Sequence, residues 1–183
     1  MKFWICVVLA LVLVVPGAWA AEADNPMYQS WSKFKVGAMA KYQQLSEMMG
    51  NKTESEIIYT LVELTPEKAV VEMTGSTTVA GNKMEMPKTR MEHLAKVTVE
   101  ATAASAAAPV NADTKQGEEE VDVAGAKIKC KTVETNITQG ESVITSKIWS
   151  SDDVPGTLVK SVNNMEKPMK TTTTLTLIEK KTP

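Results

Sequence analysis

Residues 146–160 read SKIWSSDDVPGTLVK. Ser146 to Trp149 has the residues of a strand end, and a second strand begins at Thr157. Between them, Asp152-Asp153-Val154-Pro155-Gly156 spells a turn. Pro155 presets its own φ, and Gly156 after it can adopt the positive φ that a type II turn requires. Asp152 and Asp153 are expected to accept hydrogen bonds from backbone N–H groups at the bend. Two consecutive carboxylates point to opposite faces of a strand, which favours turn capping over a catalytic pair or a hard-cation site. The stretch therefore fixes a β element and names no reaction.

Working outward from it, the same signal runs through most of the chain. From Gly37 onward Thr is frequent, Pro and Gly punctuate, and no long 3.6-residue periodicity appears. The expected strands are 38–48, 54–64, 68–79, 83–92, 117–123, 126–137, 141–150, 157–165 and 169–179. Turns fall at Gly50-Asn51, Thr65-Pro66, Ala80-Gly81-Asn82, Ala124-Gly125, Gln139-Gly140 and Lys167-Pro168. Connections this short make neighbours antiparallel. The expected fold class is mainly β: an antiparallel meander of about nine strands in a curved sheet or incomplete barrel, with one short N-terminal helix.

Individual strands carry more detail. In 126–132, Lys127, Lys129 and Lys131 alternate with Ile128, Cys130 and Thr132, so one face is wet and the other buried. Residues 57–64 (IIYTLVEL) are apolar on both faces, so something must cover the second face. Asn25-Pro26 is a helix start, an N-cap before proline at the first helical position. Met27, Trp31 and Phe34 follow at helical spacing with Tyr28 beside them, giving a short amphipathic helix over 26–34 whose stripe can provide that cover. VAGNKMEM (79–86) echoes VAGAKIKC (123–130), through either a duplicated half or shared turn chemistry. Glu100 to Gly117 is rich in Ala and Ser without an apolar stripe, and reads as a flexible linker or lid over about 100–117.

The first twenty residues belong to a different class. Lys2 precedes the apolar run Phe3–Val15, and Ala18-Trp19-Ala20 follows as an A-x-A site. This is the pattern of a signal peptide, with Ala21 as the mature N-terminus, and the run is too short for a comfortable membrane span. The expectation is an exported protein, periplasmic or extracellular and not membrane-spanning after cleavage, with one domain over 21–183. The formal charge is −2 and Arg90 is the sole arginine, which excludes a phosphate-tracking nucleic-acid surface. Of the two cysteines, Cys6 lies in the leader, so Cys130 has no intramolecular partner.

Catalytic parts are scarce. His93 is the only histidine, and Cys130 sits mid-strand on the buried face, where thiols are inert. No enzyme activity and no cofactor are expected. Methionine is the compositional outlier: Met84 and Met86 form an M-x-M, with Met91 and His93 nearby, and thioethers with an imidazole suit Cu(I). On a continuous strand, however, 84 and 86 share one face while 91 and 93 share the other.

The run WSSDDVPGTLVK (149–160), with GEEEVDVAGAKIKCKT (117–132) before it, resembles a group of uncharacterised exported bacterial proteins common in planctomycetes. It is similar, more distantly, to the half-barrel of periplasmic lipoprotein carriers. The resemblance covers residues 25–180 and implies a β fold and an exported location, with no catalytic residues. The expected function is a non-enzymatic exported binding module for an apolar or lipid-like ligand or a lipoprotein segment. Its candidate ligand-binding residues are Trp31, Phe34, Tyr59, Leu61 and Trp149. The alternatives are metal handling through Met84, Met86, Met91 and His93, or an envelope interaction protein without a small ligand.

Overall fold

The computed structural model describes residues 21–79, 81–99, 111–139, 142–167 and 169–183. The leader at 1–20, residues 100–110 of the expected linker, and Ala80, Gly140 and Pro168 of the expected turns lie outside those residues. In chain order the elements are β1 (Ala21–Asp24), α1 (Pro26–Ser32), β2 (Met39–Met48), β3 (Asn51–Leu64), β4 (Lys68–Val79), β5 (Asn82–Leu94) and β6 (Lys96–Val99). There follow β7 (Asn111–Val123), β8 (Ala126–Gln139), β9 (Ser142–Ser150), β10 (Leu158–Met165) and β11 (Thr171–Lys181).

Nine strands form one antiparallel sheet in the order β5-β4-β3-β2-β11-β10-β9-β8-β7. The fold class read from the sequence holds: mainly β, curved, and open at β5 and β7. It is not one continuous meander, because two meanders, β2–β5 and β7–β11, are joined where β11 pairs with β2. The remaining two strands, β1 and β6, form a separate ribbon with Ala21 opposite Val99.

Three bulges lie at the α1 end of the large sheet, between Leu61 and Glu63, Leu158 and Lys160, and Leu177 and Glu179. A bulge bends its strand and sharpens the local twist, so three at one end curl that end around a core. The bulge in β3 also explains its two-faced apolar run: with an extra residue at position 62, Leu61 and Leu64 face the same way instead of opposite ways.

One expectation about the middle of the chain is corrected. Residues 111–117 are strand, the first half of β7, paired with β8 in unbroken register from Asn111–Thr138 to Val123–Ala126. The exposed edge of a sheet has no need of an apolar pattern, so this half-strand looked like linker. The alternation in β8 is as read, with Ile128, Cys130 and Thr132 buried between exposed lysines.

The core has two clusters. One gathers Ala40, Tyr42, Val123, Ile128, Cys130, Trp149, Val154, Val159 and Leu177. The other sets Trp31 and Ala38 against Leu61, Ala69 and Val71. Tyr59 packs against both, edge-on to Tyr42 with ring centroids 5.8 Å apart.

Candidate functional site

The expected helix forms and starts as read, with the Asn25 side chain accepting from the Met27 N–H at 3.0 Å and Pro26 in the first turn. It ends at Ser32 rather than residue 34. The inward stripe is Trp31, buried, flanked by Tyr28 and Phe34, partly buried; Met27, expected on it, is half exposed. That stripe covers Leu61, Ala69 and Val71 with Leu64 at their side, on the same face of β3 as Tyr59. The helix therefore extends the core face rather than covering a second one, which corrects the reading of 57–64: the bulge turns Leu64 onto the face of Leu61.

Few polar contacts hold α1 in place. Tyr28 Oη donates to the Thr65 carbonyl at 2.9 Å, and Asn25 Nδ2 donates to the Leu94 carbonyl at 2.7 Å. Lys33 pairs with Asp152 at the protein surface. The helix has no acidic residue in its first turn and no basic residue in its last, so the dipole receives no help from either end. Seven residues are also well short of the roughly 12–15 at which isolated helices become even marginal. Packing and these few tethers are what keep it folded.

The other side of α1 is the 152–156 turn. The Thr157 N–H donates to the Val154 carbonyl at 2.7 Å, closing a type II turn around Pro155 and Gly156, and Gly156 has φ +77°. The Ser151 N–H closes the wider loop onto the Thr157 carbonyl at 2.8 Å. Val154 and Pro155 are fully buried, so the turn is a plug rather than a solvent loop. Gly156 donates its N–H to the Ser30 carbonyl at 3.2 Å, and a Cβ placed on it would lie 3.0 Å from Trp31 Cζ2. Glycine is thus required twice at this position, for φ and for space.

The capping role read for Asp152 and Asp153 is corrected. Among the described contacts, Ser151 Oγ accepts the Asp153 N–H, the Asp152 carboxylate faces Lys33, and the Asp153 carbonyl accepts from Lys180 Nζ at 2.8 Å. A hydroxyl one residue earlier reaches the bend, leaving the carboxylates free to turn outward. Lys33 holds the Asp152 carboxyl below its usual range.

Of the five candidate ligand-binding residues, Trp31, Phe34, Tyr59 and Leu61 meet beneath α1, with Trp31 4% and Leu61 0% exposed. They form a filled core rather than an open groove. Trp149 belongs to the other cluster. Its Nε1 donates to Glu119 Oε2 at 2.7 Å, Lys147 donates to Glu119 Oε1 at 2.6 Å, and Lys147 and Lys160 lie 4.8 and 5.2 Å from the ring centroid. Nothing in the sequence marked Glu119 as the partner, because the pair is thirty residues apart and meets only through the register of β7, β8 and β9.

Beside Trp149 lies a cleft of about 720 Å³ lined by Glu118–Glu120, Lys129–Lys131, Ser150–Asp153 and Thr157. Cys130 lies in it, but burial, then the Glu119 charge, push its thiol up, away from the reactive thiolate. Lys147, then Trp149, hold Glu119 below its usual range. Among the described residues no three of His, Cys, Asp and Glu are grouped to hold a metal.

Met84, Met86, Met91 and His93 all lie on β5. Its register jumps between Thr89 and Met86 opposite Met73 and Gly75, an irregularity at Pro87-Lys88 that puts all four on the same face, contrary to the alternation expected of a continuous strand. They remain strung out: at about 3.3 Å per residue, Met84 and Met91 are roughly 20 Å apart. The four do not make one site.

No protein-family model matches the chain, and no curated protein matches it significantly. The crystal structure of a candidate exported protein with a YmcC-like fold from Bacteroides fragilis NCTC 9343 is similar at a TM-score of 0.46 and 10% identity, over 81% of this chain and 97% of that one. A likeness of that size speaks to neither family nor activity.

Proposed function

We propose that the chain is an exported, non-catalytic binding module that takes an apolar or lipid-like ligand, or a lipoprotein segment, onto the sheet face now covered by α1. The observation that carries this reading is the cover itself. A seven-residue helix, lacking charges matched to its dipole, hides an apolar surface of Leu61, Ala69, Val71 and Tyr59 that belongs to a much larger and independently paired sheet. Such a segment exchanges with a competitor of similar apolarity at little cost to the rest of the fold. Met27, Val36, Leu94 and Val97 are exposed near its ends and offer an incoming chain its first contacts. Export rests on the charged, apolar and A-x-A pattern of residues 1–20.

The test is native mass spectrometry on mature protein from its own host, joined to dye binding by a variant lacking residues 21–35. The expected result is co-purified lipid, and a folded deletion variant that binds an apolar dye strongly. A lipid-free protein whose deletion variant is folded and dye-silent would leave an interaction protein without a small ligand. A deletion variant that is simply unfolded would make the helix ordinary core.

A further inference from the structure

We propose that Met48, Met165 and Met169 form a thioether site for a soft monovalent cation, Cu(I) in chemistry, at the end of the sheet opposite α1. The register places them. Met48 pairs with Thr171 across β2–β11, and Met165 pairs with the same Thr171 across β10–β11. Directly paired residues share a face, so the two methionines flank one threonine on one side of the sheet. Met169 lies two residues before Thr171 in the same hairpin and is half exposed, as is Met48. Met49, more exposed still and at φ +52°, crowns the neighbouring β2–β3 hairpin.

Four of the eleven methionines therefore stand on two hairpin tips that are more than a hundred residues apart in the chain and touch only because β11 pairs with β2. Spanning two strand spacings of about 4.8 Å puts the Met48 and Met165 Cα atoms roughly 10 Å apart. Each side chain reaches its sulfur over three bonds of about 1.5 Å or slightly more. Adding a metal–sulfur bond of about 2.3 Å at each end closes that gap with room to spare. Methionine's unbranched chain gives the freedom to converge, and neutral thioethers select Cu(I) over hard cations. Unlike thiols, they also do not pair into disulfides in an oxidising compartment. The β5 methionines fail the same measure because they are spread along one strand.

The test uses the full mature chain. It is titrated anaerobically with Cu(I) against bicinchoninate, and with Ag(I), a soft ion of the same charge without accessible redox chemistry, by native mass spectrometry. Met48→Leu/Met165→Leu/Met169→Leu is the test variant, its volumes nearly conserved, with urea denaturation confirming that it folds. Met84→Leu/Met86→Leu is the control. The expected result is one ion per chain, at least tenfold weaker binding in the triple variant, unchanged binding in the control, and a sulfur-only shell in Cu X-ray absorption. Absence of binding by the unaltered chain, or equal binding by the triple variant, would overturn the site and leave an exposed apolar rim. Loss confined to the control would overturn it in favour of β5.

Discussion

At the scale of single residues, Gly156 and Trp31 are coupled more tightly than any sequence pattern indicated. Gly156→Ala is expected to destabilise the fold by at least about 1–2 kcal/mol from positive φ alone, with the Trp31 ring adding to that through the close approach. A double-mutant cycle in urea separates the two causes: Gly156→Ala should cost less once Trp31 is Leu, and strict additivity would mean that the ring is not the obstacle. Trp149→Ala removes a buried ring and should cost about 3–5 kcal/mol. A denaturation midpoint that does not move would contradict its place in the core. Tyr42 makes a smaller, cleaner case. Its hydroxyl donates to the Leu158 carbonyl at 2.8 Å, tying β2 to the base of the β9–β10 connection. Burial, with Tyr59 adding to it, holds the phenol neutral far above the ordinary range. Tyr42→Phe should cost about 0.5–1.5 kcal/mol, read from the same urea curves.

At the scale of elements, the strands were legible because period-two alternation and turn residues are local signals, and β8 with its lysine ladder shows them most plainly. Three things were not. The first half of β7 carries no apolar pattern, since an exposed edge strand is held by backbone pairing with β8. The α1 stripe was read through Met27, although the helix packs through Tyr28, because which side chain tips inward depends on where Thr65 waits for a hydroxyl. The bulges at Leu61, Pro87, Leu158 and Leu177 reassign faces, and no residue pattern marked them apart from Pro87. The site was partly legible for the same reason: four of the five candidate ligand-binding residues meet, as a filled core, while Trp149 went elsewhere through long-range pairing.

Another element-scale consequence concerns His93, paired with Ala69 on the sheet face that α1 covers. Burial holds its folded-state pKa below that of a free imidazole. The unfolded chain therefore takes up the proton first, and the His93 contribution to stability is present above the unfolded pKa and lost as pH falls through the folded one. Urea midpoints should decline between about pH 7 and 5, and His93→Gln should flatten that decline. An unchanged slope in the variant would assign it to other groups.

At the scale of the whole molecule, two meanders are sealed edge to edge by β2 and β11, and curled at one end by aligned bulges. The curled end is closed by two pieces from opposite halves of the chain, α1 and the 152–156 turn, held to each other by the Gly156–Ser30 hydrogen bond and the Lys33–Asp152 pair. Of these, the turn is anchored by the fully buried Val154 and Pro155 and is continuous with two strands, whereas α1 is short and joined to the large sheet through a single short connection, Lys33–Ala38, on its C-terminal side. The central claim is that α1 is the piece that yields to a ligand. Hydrogen–deuterium exchange on the mature chain, with and without oleate, tests it most directly. The account predicts that the amides of Gln29 to Phe34 exchange faster than those of β3 and β4 in the free protein, and faster again with oleate, while the sheet stays protected. Exchange of α1 as slow as that of β3, and unaffected by oleate, would contradict it.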